Sequence, residues 1–544
     1  MHLRSYSTAA LVAAAALAGG SIYYRGQTAV LRADAPRGTA SFSGVASDTV
    51  VTEGAEKTRR ALVVEQGQVY QSTIVGDGPL AKQAEDSGRS VLEMLTPEQA
   101  TSKLRKSEES WIVQRGKGVV RYDLVQIPSN SPIEDDHIEK IIQVPDTVAA
   151  TGDETSTNSD WMFWGVFDGH SGWTTSAKLR QLLVSFVARE LNTTYTSALS
   201  NSSFPYPSSE SVDLAIKKGF LRLDNEIVYE AVNKVDKAKT KNAAAELLAP
   251  ALSGSCALLS FYDSQSKTLR VACTGDSRAI LGRKGANGKW TAIPLSIDQT
   301  GANEDEATRL RKEHPGEQYV VANGRVLGGL EPTRAFGDAV YKWTQETADR
   351  LKRSYFARSP NKLFKTPPYV TAEPVVTTTQ IQPEKGDFLI MATDGLWEML
   401  TNEEAVGLVG KWLEVEASEK SGSKDSWLKS WFAQSKAELP VEKVQSDSSG
   451  NRDAVRQRQW GITDAHGRFV VEDKNVATHL VRNALGGKDQ DQLCALLTLP
   501  SPISRRYRDD LTVQVIFFGD ETPSGNVTLN AEATAPGEVP KPKL

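Results

Sequence analysis

Cysteine is scarce in this 544-residue chain: Cys256, Cys273 and Cys494 stand far apart. That spacing excludes a disulfide-stapled scaffold and a zinc site built on close cysteine pairs, and leaves reduced thiols. An excess of positive charge is also missing. Lys and Arg total 63 against 68 Asp and Glu, a net of −5, so the composition points to no nucleic-acid partner and shows no solvating acidic tail. A long hydrophobic run is absent too. The stretch from Ala9 to Tyr24 is shorter than the roughly 20 residues that span a bilayer comfortably. What remains, 39% hydrophobic and 24% charged residues, is the composition of a globular protein.

The N-terminus differs from the rest. Arg4, Arg25 and Arg32 precede the first acid, Asp34, in an Ala- and Ser-rich segment. Residues 1–35 therefore read as a mitochondrial presequence or a membrane anchor, with matrix or inner-membrane location expected. Ala16-Leu17-Ala18 imitates a signal-peptidase site, and Pro542-Lys543-Leu544 is a poor relative of a peroxisomal address. Residues 36–87 read as a linker with at most a short strand at "RALVVEQGQVYQS". Residues 411–470, charged and rich in Ser and Lys, read as a surface insertion, and 521–544 as a disordered tail.

Between these lies an organised region. Thr96 and Gln99 have capping-box spacing with Pro97 in the first turn. Leu179, Leu182, Leu183, Phe186 and Leu191 recur at helical spacing, as do Val212, Ile216, Phe220, Leu223 and Ile227. Residues 254–296 change to short strand-like runs joined by "SQSK" and "GANG", connections that permit only antiparallel neighbours. "PYVTAEPVV", "DFLIMATDG" and "LTVQVIFF" add strands. Helices in one block and antiparallel strands in another predict an α+β layered domain.

Three strand-like segments end in acids: "FWGVFDG" at Asp168, "RVACTGD" at Asp276 and "FLIMATDG" at Asp394. Asp509 and Asp510 open another strand, and Glu134 and Asp135 lie upstream in "PIEDDH". A lone acid of this kind is ordinarily a turn former or strand cap. Several at the ends of adjacent core strands converge, and their repulsion calls for divalent cations. Oxygen ligands suit Mg²⁺ or Mn²⁺ rather than zinc. Two such ions about 3.5–4 Å apart activate water for attack on a phosphoryl group, and His170 stands two residues from Asp168 to protonate a leaving oxygen.

"FDGHSG", "TGDSRAIL", "RAFGD", "ATDGLWE" and "YRDDLTV" occur in the order and spacing of the metal-dependent type 2C serine/threonine protein phosphatases. The chain resembles that family from about Leu95 to Phe518, within a domain of residues 88–520. The resemblance implies a four-layer α-β-β-α sandwich with a binuclear metal cleft at one end. It implies that Asp168 bridges the metals, that the Gly169 carbonyl, Asp394 and Asp509 bind them, and that Glu134 and Asp135 hold metal-bound waters. His170 matches the general acid, and Asp276 an acid of a third, weaker metal site. Arg334 and Asp338 match a cleft-edge pair, with Arg334 toward substrate and Asp338 either structural or direct. His137 matches a residue behind the ligands. Two positions depart from the family pattern: Asn130 stands where an arginine grips the phosphate, and Glu398 stands where an aspartate serves the third metal. With Asn130, "SNSPIEDDH" and "RRYRDDLTV" are similar to the mitochondrial pyruvate dehydrogenase phosphatase branch. That branch implies the phosphorylated pyruvate dehydrogenase complex as partner. A type 2C phosphatase acting on another mitochondrial phosphoprotein is the alternative within the family, and a dead phosphoprotein-binding module the alternative class; the retained Asp168, Asp394 and Asp509 weigh against the latter.

Overall fold

The computed structural model describes residues 30–32, 58–65, 68–76, 89–115, 118–144, 159–200, 206–355, 357–359, 361–420, 439–442, 467–519 and 525–536. The strand Ser159–Phe167 shows how the core forms. Successive side chains of a strand point to opposite faces. Met162, Trp164 and Val166 enter a cluster with Leu281, Leu389, Met391 and Ile516 from a second sheet. Trp161, Phe163 and Phe167 enter another cluster with Leu179, Leu183, Phe220 and Leu223 from helices. Both faces are covered, so the strand is apolar in both registers. Each large side chain buried this way contributes roughly 1.5–3 kcal/mol.

The first sheet runs Val375–Gln380, Thr268–Thr274, Ala257–Asp263, Ser159–Phe167, Asp136–Val144, every neighbour antiparallel. The second runs Trp290–Pro294, Arg278–Lys284, Phe388–Ala392, Leu511–Gly519, Gly118–Ile127, Glu109–Gln114, Asn526–Leu529, also antiparallel throughout. Helices Thr174–Leu199 and Ser209–Asn225 cover the first sheet. Helices Pro97–Arg105, Asn402–Lys420, Val476–Leu485 and Gln490–Thr498 cover the second. This is the four-layer α-β-β-α arrangement. The Thr96 capping box forms as expected, with Gln99 N donating to Thr96 Oγ1 at 3.3 Å and Thr96 N to Gln99 Oε1 at 2.9 Å.

Four boundaries differ from the sequence reading. Residues 58–75 are a hairpin, Thr58–Glu65 with Gln68–Val75, inside the supposed linker. Its Leu62, Val64 and Val69 join the helix-side core of the second sheet, and residues 61–64 form one continuous buried apolar run, which Gly- and Ser-rich flanks obscure. Residues 411–420 finish the helix Asn402–Lys420 and bury Trp412 and Val415, so no surface insertion begins at 411. Residues 526–529 pair with Glu109–Gln114, and Ala533 is buried, so the segment 525–536 is an ordered edge of the sheet and not a loose tail. "PYVTAEPVV" becomes a strand only from Val375, because Tyr369 and Val370 sink into a separate cluster under the 310–327 region. Of residues 1–35 only Val30–Arg32 is described, as a short strand parallel to Gln68–Val75; the presequence, the bulk of the charged insertion and the final Pro542-Lys543-Leu544 lie outside the described residues. Among the described residues no helix is long and apolar enough to cross a membrane.

Candidate active site

Asp168 directly follows the strand Ser159–Phe167, Asp276 lies two residues past Thr268–Thr274, and Asp394 two past Phe388–Ala392. The first two strands belong to one sheet and the third to the other. The strand ends therefore converge where the sheets meet, and one carboxylate oxygen from each acid lies within 4.8 Å of the other two. Two glycines permit the approach. Gly275 has φ +106°, and a Cβ there would lie 2.3 Å from Cys256 Sγ; a Cβ on Gly169 would lie 2.1 Å from the Glu134 carbonyl oxygen.

A second set of acids lines the neighbouring loop. Asp135 is buried and accepts hydrogen bonds from Thr393 Oγ1 at 2.9 Å and Thr512 Oγ1 at 2.8 Å. Glu134 accepts from Gly172 N at 2.6 Å and from Asn130 Nδ2 at 3.0 Å. Asp510, which the sequence reading noted without a role, ties this loop down by accepting from the backbone N–H of Asn130 at 2.8 Å and of Glu134 at 3.0 Å. Asp509 faces Arg505, with which it forms an ion pair.

Burial and crowding set the electrostatics. Asp168 is held well above the carboxylate range by burial and then by Asp394, Asp135 and Asp276. Asp394 is raised likewise by burial, then Asp276, Glu398 and Asp135. Asp135 is pushed up to about 8 by burial and Asp510, and Asp276 to about 6, chiefly by burial. Like charges this close need a cation, and an all-oxygen donor set fits a hard divalent ion. The acids present thus fit a metal.

His170 reaches the site through a small three-stranded ladder, Gly169–His170 with Gly254–Ser255 and Phe336–Gly337. Its Nε2 lies 2.6 Å from Asp338 Oδ2. Gly254 floors the pair: a Cβ there would lie 2.1 Å from His170 Nε2 and 2.3 Å from Asp338 Oδ2. Burial opposes charge on the imidazole, but Asp338 outweighs it and raises the His170 pKa.

Residues 138–425 match the family described as Protein phosphatase 2C, more than half of the chain. The chain belongs to that family. It is 46% identical to a protein phosphatase 2C homolog of Schizosaccharomyces pombe, covering 78% of this chain and 85% of the relative. It is 45% identical to mitochondrial [pyruvate dehydrogenase [acetyl-transferring]]-phosphatase 1 of Saccharomyces cerevisiae, over 85% of this chain and 80% of that one. The mitochondrial phosphatase 2 of the same description from Homo sapiens is 30% identical, over 79% and 84% of the two chains.

The phosphatase brings together Asp168, Asp276 and Asp394, with Gly169, Glu134, Asp135 and His170 around them. Asp276 stands level with the other two acids, although the resemblance gave it a weaker outer site. Asp338, left open between a structural and a direct role, is the partner of His170; no local motif shows a contact between residues 168 apart. Arg334, matched toward substrate, and Asn130, at the position of the phosphate-gripping arginine, both hydrogen-bond within the fold. Arg334 donates Nη2 to Glu306 Oε1 at 2.7 Å and Nη1 to the Glu373 carbonyl at 2.8 Å, and its side chain is 12% exposed. It is a clamp inside the fold, because buried Glu306 requires a counter-charge. Asn130 spends its amide N–H groups on Glu134 and on Asp510 Oδ2 at 3.1 Å. His137 pairs with Glu139 through Nδ1 at 2.7 Å in the buried interior.

Proposed function

We propose that this phosphatase hydrolyses phosphoserine on the α subunit of pyruvate dehydrogenase in mitochondria and so reactivates that complex. Supporting the substrate and the compartment are the two relatives named for that activity and for mitochondria, together with the Arg-bearing, acid-poor start of the chain. The observation that carries the chemistry is the cluster of Asp168, Asp276 and Asp394 beside the His170–Asp338 pair.

In this reading two Mg²⁺ or Mn²⁺ ions would be held by Asp168, the Gly169 carbonyl, Asp394 and Asp509, Glu134 and Asp135 would order water beside them, and Asp276 would serve a third ion. Ions at such a site lower the pKa of water and offset the charge of a phosphoryl group. The chain's own residues do the rest. Asp338 holds one nitrogen of His170 and favours its protonated form, so the ring carries a proton for the departing serine oxygen. Thr393 and Thr512 fix Asp135, and Asp510 fixes the backbone that presents Glu134, so these acids meet the site in one geometry.

The test is Mn²⁺-dependent phosphate release by the full-length chain from intact phosphorylated pyruvate dehydrogenase, set against a panel of other mitochondrial phosphoproteins. A clear preference in kcat/KM for the pyruvate dehydrogenase complex is expected. A higher value for another phosphoprotein moves the substrate there and leaves the phosphatase chemistry standing.

A further inference from the structure

We propose that Arg505 is the side chain that receives the substrate phosphoryl group at the mouth of this site. The inference rests on the phosphatase reading above and adds a binding residue that the sequence motifs did not indicate.

Arg505 sits in the single turn Ser504–Arg506, four residues before Asp509. The turn is stitched to the loop that carries Asn130 and Glu134. Ser504 Oγ donates to the Ser129 carbonyl at 2.7 Å, Ser129 Oγ to the Arg508 carbonyl at 2.8 Å, and Arg508 Nη2 to the Pro128 carbonyl at 2.8 Å. The backbone under Arg505 is therefore fixed relative to the acids while its side chain stays 41% exposed, open to a ligand arriving from solvent. Its guanidinium pairs with Asp509, whose chain neighbour Asp510 anchors the backbone of Asn130 and Glu134, so it stands at the edge of the acid cluster.

The neighbouring cations are committed elsewhere. Arg508 is buried on backbone carbonyls, Arg334 is clamped by Glu306, and Arg180 pairs with Asp136 at 3.0 Å. A guanidinium has five N–H donors, and one carboxylate partner leaves others for a bidentate hold on a phosphate. A phosphate dianion entering among Glu134, Asp135, Asp168, Asp276, Asp394 and Asp509 needs such a donor at the rim.

Arg505→Ala and Arg505→Lys, in the full-length Mn²⁺-loaded protein, test this by calorimetric titration of inorganic phosphate and by kcat and KM with a phosphoserine peptide. Loss of a charged bidentate contact is expected to weaken phosphate binding by roughly tenfold or more in the alanine variant. KM should rise with kcat changed much less, and lysine should restore part of the loss. Unchanged phosphate affinity and KM in Arg505→Ala overturn the proposal. So does a variant whose Mn²⁺ affinity and kcat fall while phosphate affinity holds, since Arg505 would then only position Asp509. The phosphate titration needs no turnover, so a wild-type chain inactive on phosphoserine refutes the function while leaving this inference to be judged by the binding arm.

Discussion

Burial and three neighbouring acids all oppose a charge on Asp168, which separates its effect on stability from its effect on activity. Asp168→Asn keeps the shape and removes the repulsion. Without metal, the variant should be more stable than wild type, by roughly 1 kcal/mol or more, because folding no longer has to suppress a carboxyl charge at this position. With Mn²⁺, turnover should fall to near background, and the metal-induced rise in melting temperature should shrink. Calorimetry with and without chelator checks both halves; near wild-type activity at saturating Mn²⁺ would remove Asp168 from the chemistry. His170 allows a different separation. His170→Gln should cost roughly 10²–10⁴-fold on a phosphoserine peptide, whose alkoxide needs a proton. It should cost far less on p-nitrophenyl phosphate, whose leaving group departs unaided. Equal losses on both substrates would make the imidazole structural. These residues were legible because each acid ends a strand whose apolar run announces it. The pairing of Asp338 with His170, the floor at Gly254 and the place of Arg505 were not, since they lie in contacts that local sequence does not encode.

At the level of the element, the helix Glu304–Glu313 shows a charge network that composition alone cannot reveal. Glu306, in its first turn, is buried and binds Arg309 at 2.7 Å, Arg334 at 2.7 Å and Thr333 Oγ1 at 2.7 Å. Burial raises its pKa, but Arg334 and Arg309 together overcome that and hold it down at about 2. The sign follows from linkage: a carboxyl with a depressed folded pKa adds stability that is complete above the unfolded value, near 4.5, and fades as pH falls toward 2. The drop of about 2.5 pH units corresponds to about 3 kcal/mol at neutral pH. Glu306→Gln should therefore destabilise by that order at pH 7, and the gap from wild type should narrow to less than about 2 kcal/mol at pH 3. Urea unfolding at the two pH values checks it, and a gap independent of pH would show that packing, not charge, is what Glu306 supplies. The same network explains why Arg334 reads as a substrate ligand in the motif and as a clamp in the fold. The motif records its position beside the cleft, whereas the partner 28 residues away decides its use.

For the whole molecule, the sequence motifs located the sandwich but understated its extent. The order of strands and helices follows from alternation and spacing that run over ten or twenty residues, and those were readable. The hairpin 58–75 was not, because its role depends on partners hundreds of residues away. Arg60 pairs with Asp491, a separation of 431 residues, and Met94 N donates to the Arg60 carbonyl at 2.8 Å. Ala61, Leu62 and Ile74 are fully buried, and Val63, Val64 and Val69 nearly so. This hairpin roofs the helices Pro97–Arg105 and Gln490–Thr498, the second of which leads into the turn carrying Arg505. A chain begun at residue 88, the boundary that the motifs give, should thus lose much more than a loop. The truncation removes these side chains and uncovers the apolar surface they pack on; losing the burial of even three of them costs roughly 5 kcal/mol, a large part of the usual 5–15 kcal/mol of a folded domain. A chain begun at residue 54 keeps the hairpin and should match the full-length protein in melting temperature and in turnover of p-nitrophenyl phosphate. The chain from 88 should melt many degrees lower or aggregate, with activity lost in proportion to the folded fraction. Equal melting temperatures for the two truncations would mean that the catalytic sandwich stands without its N-terminal roof.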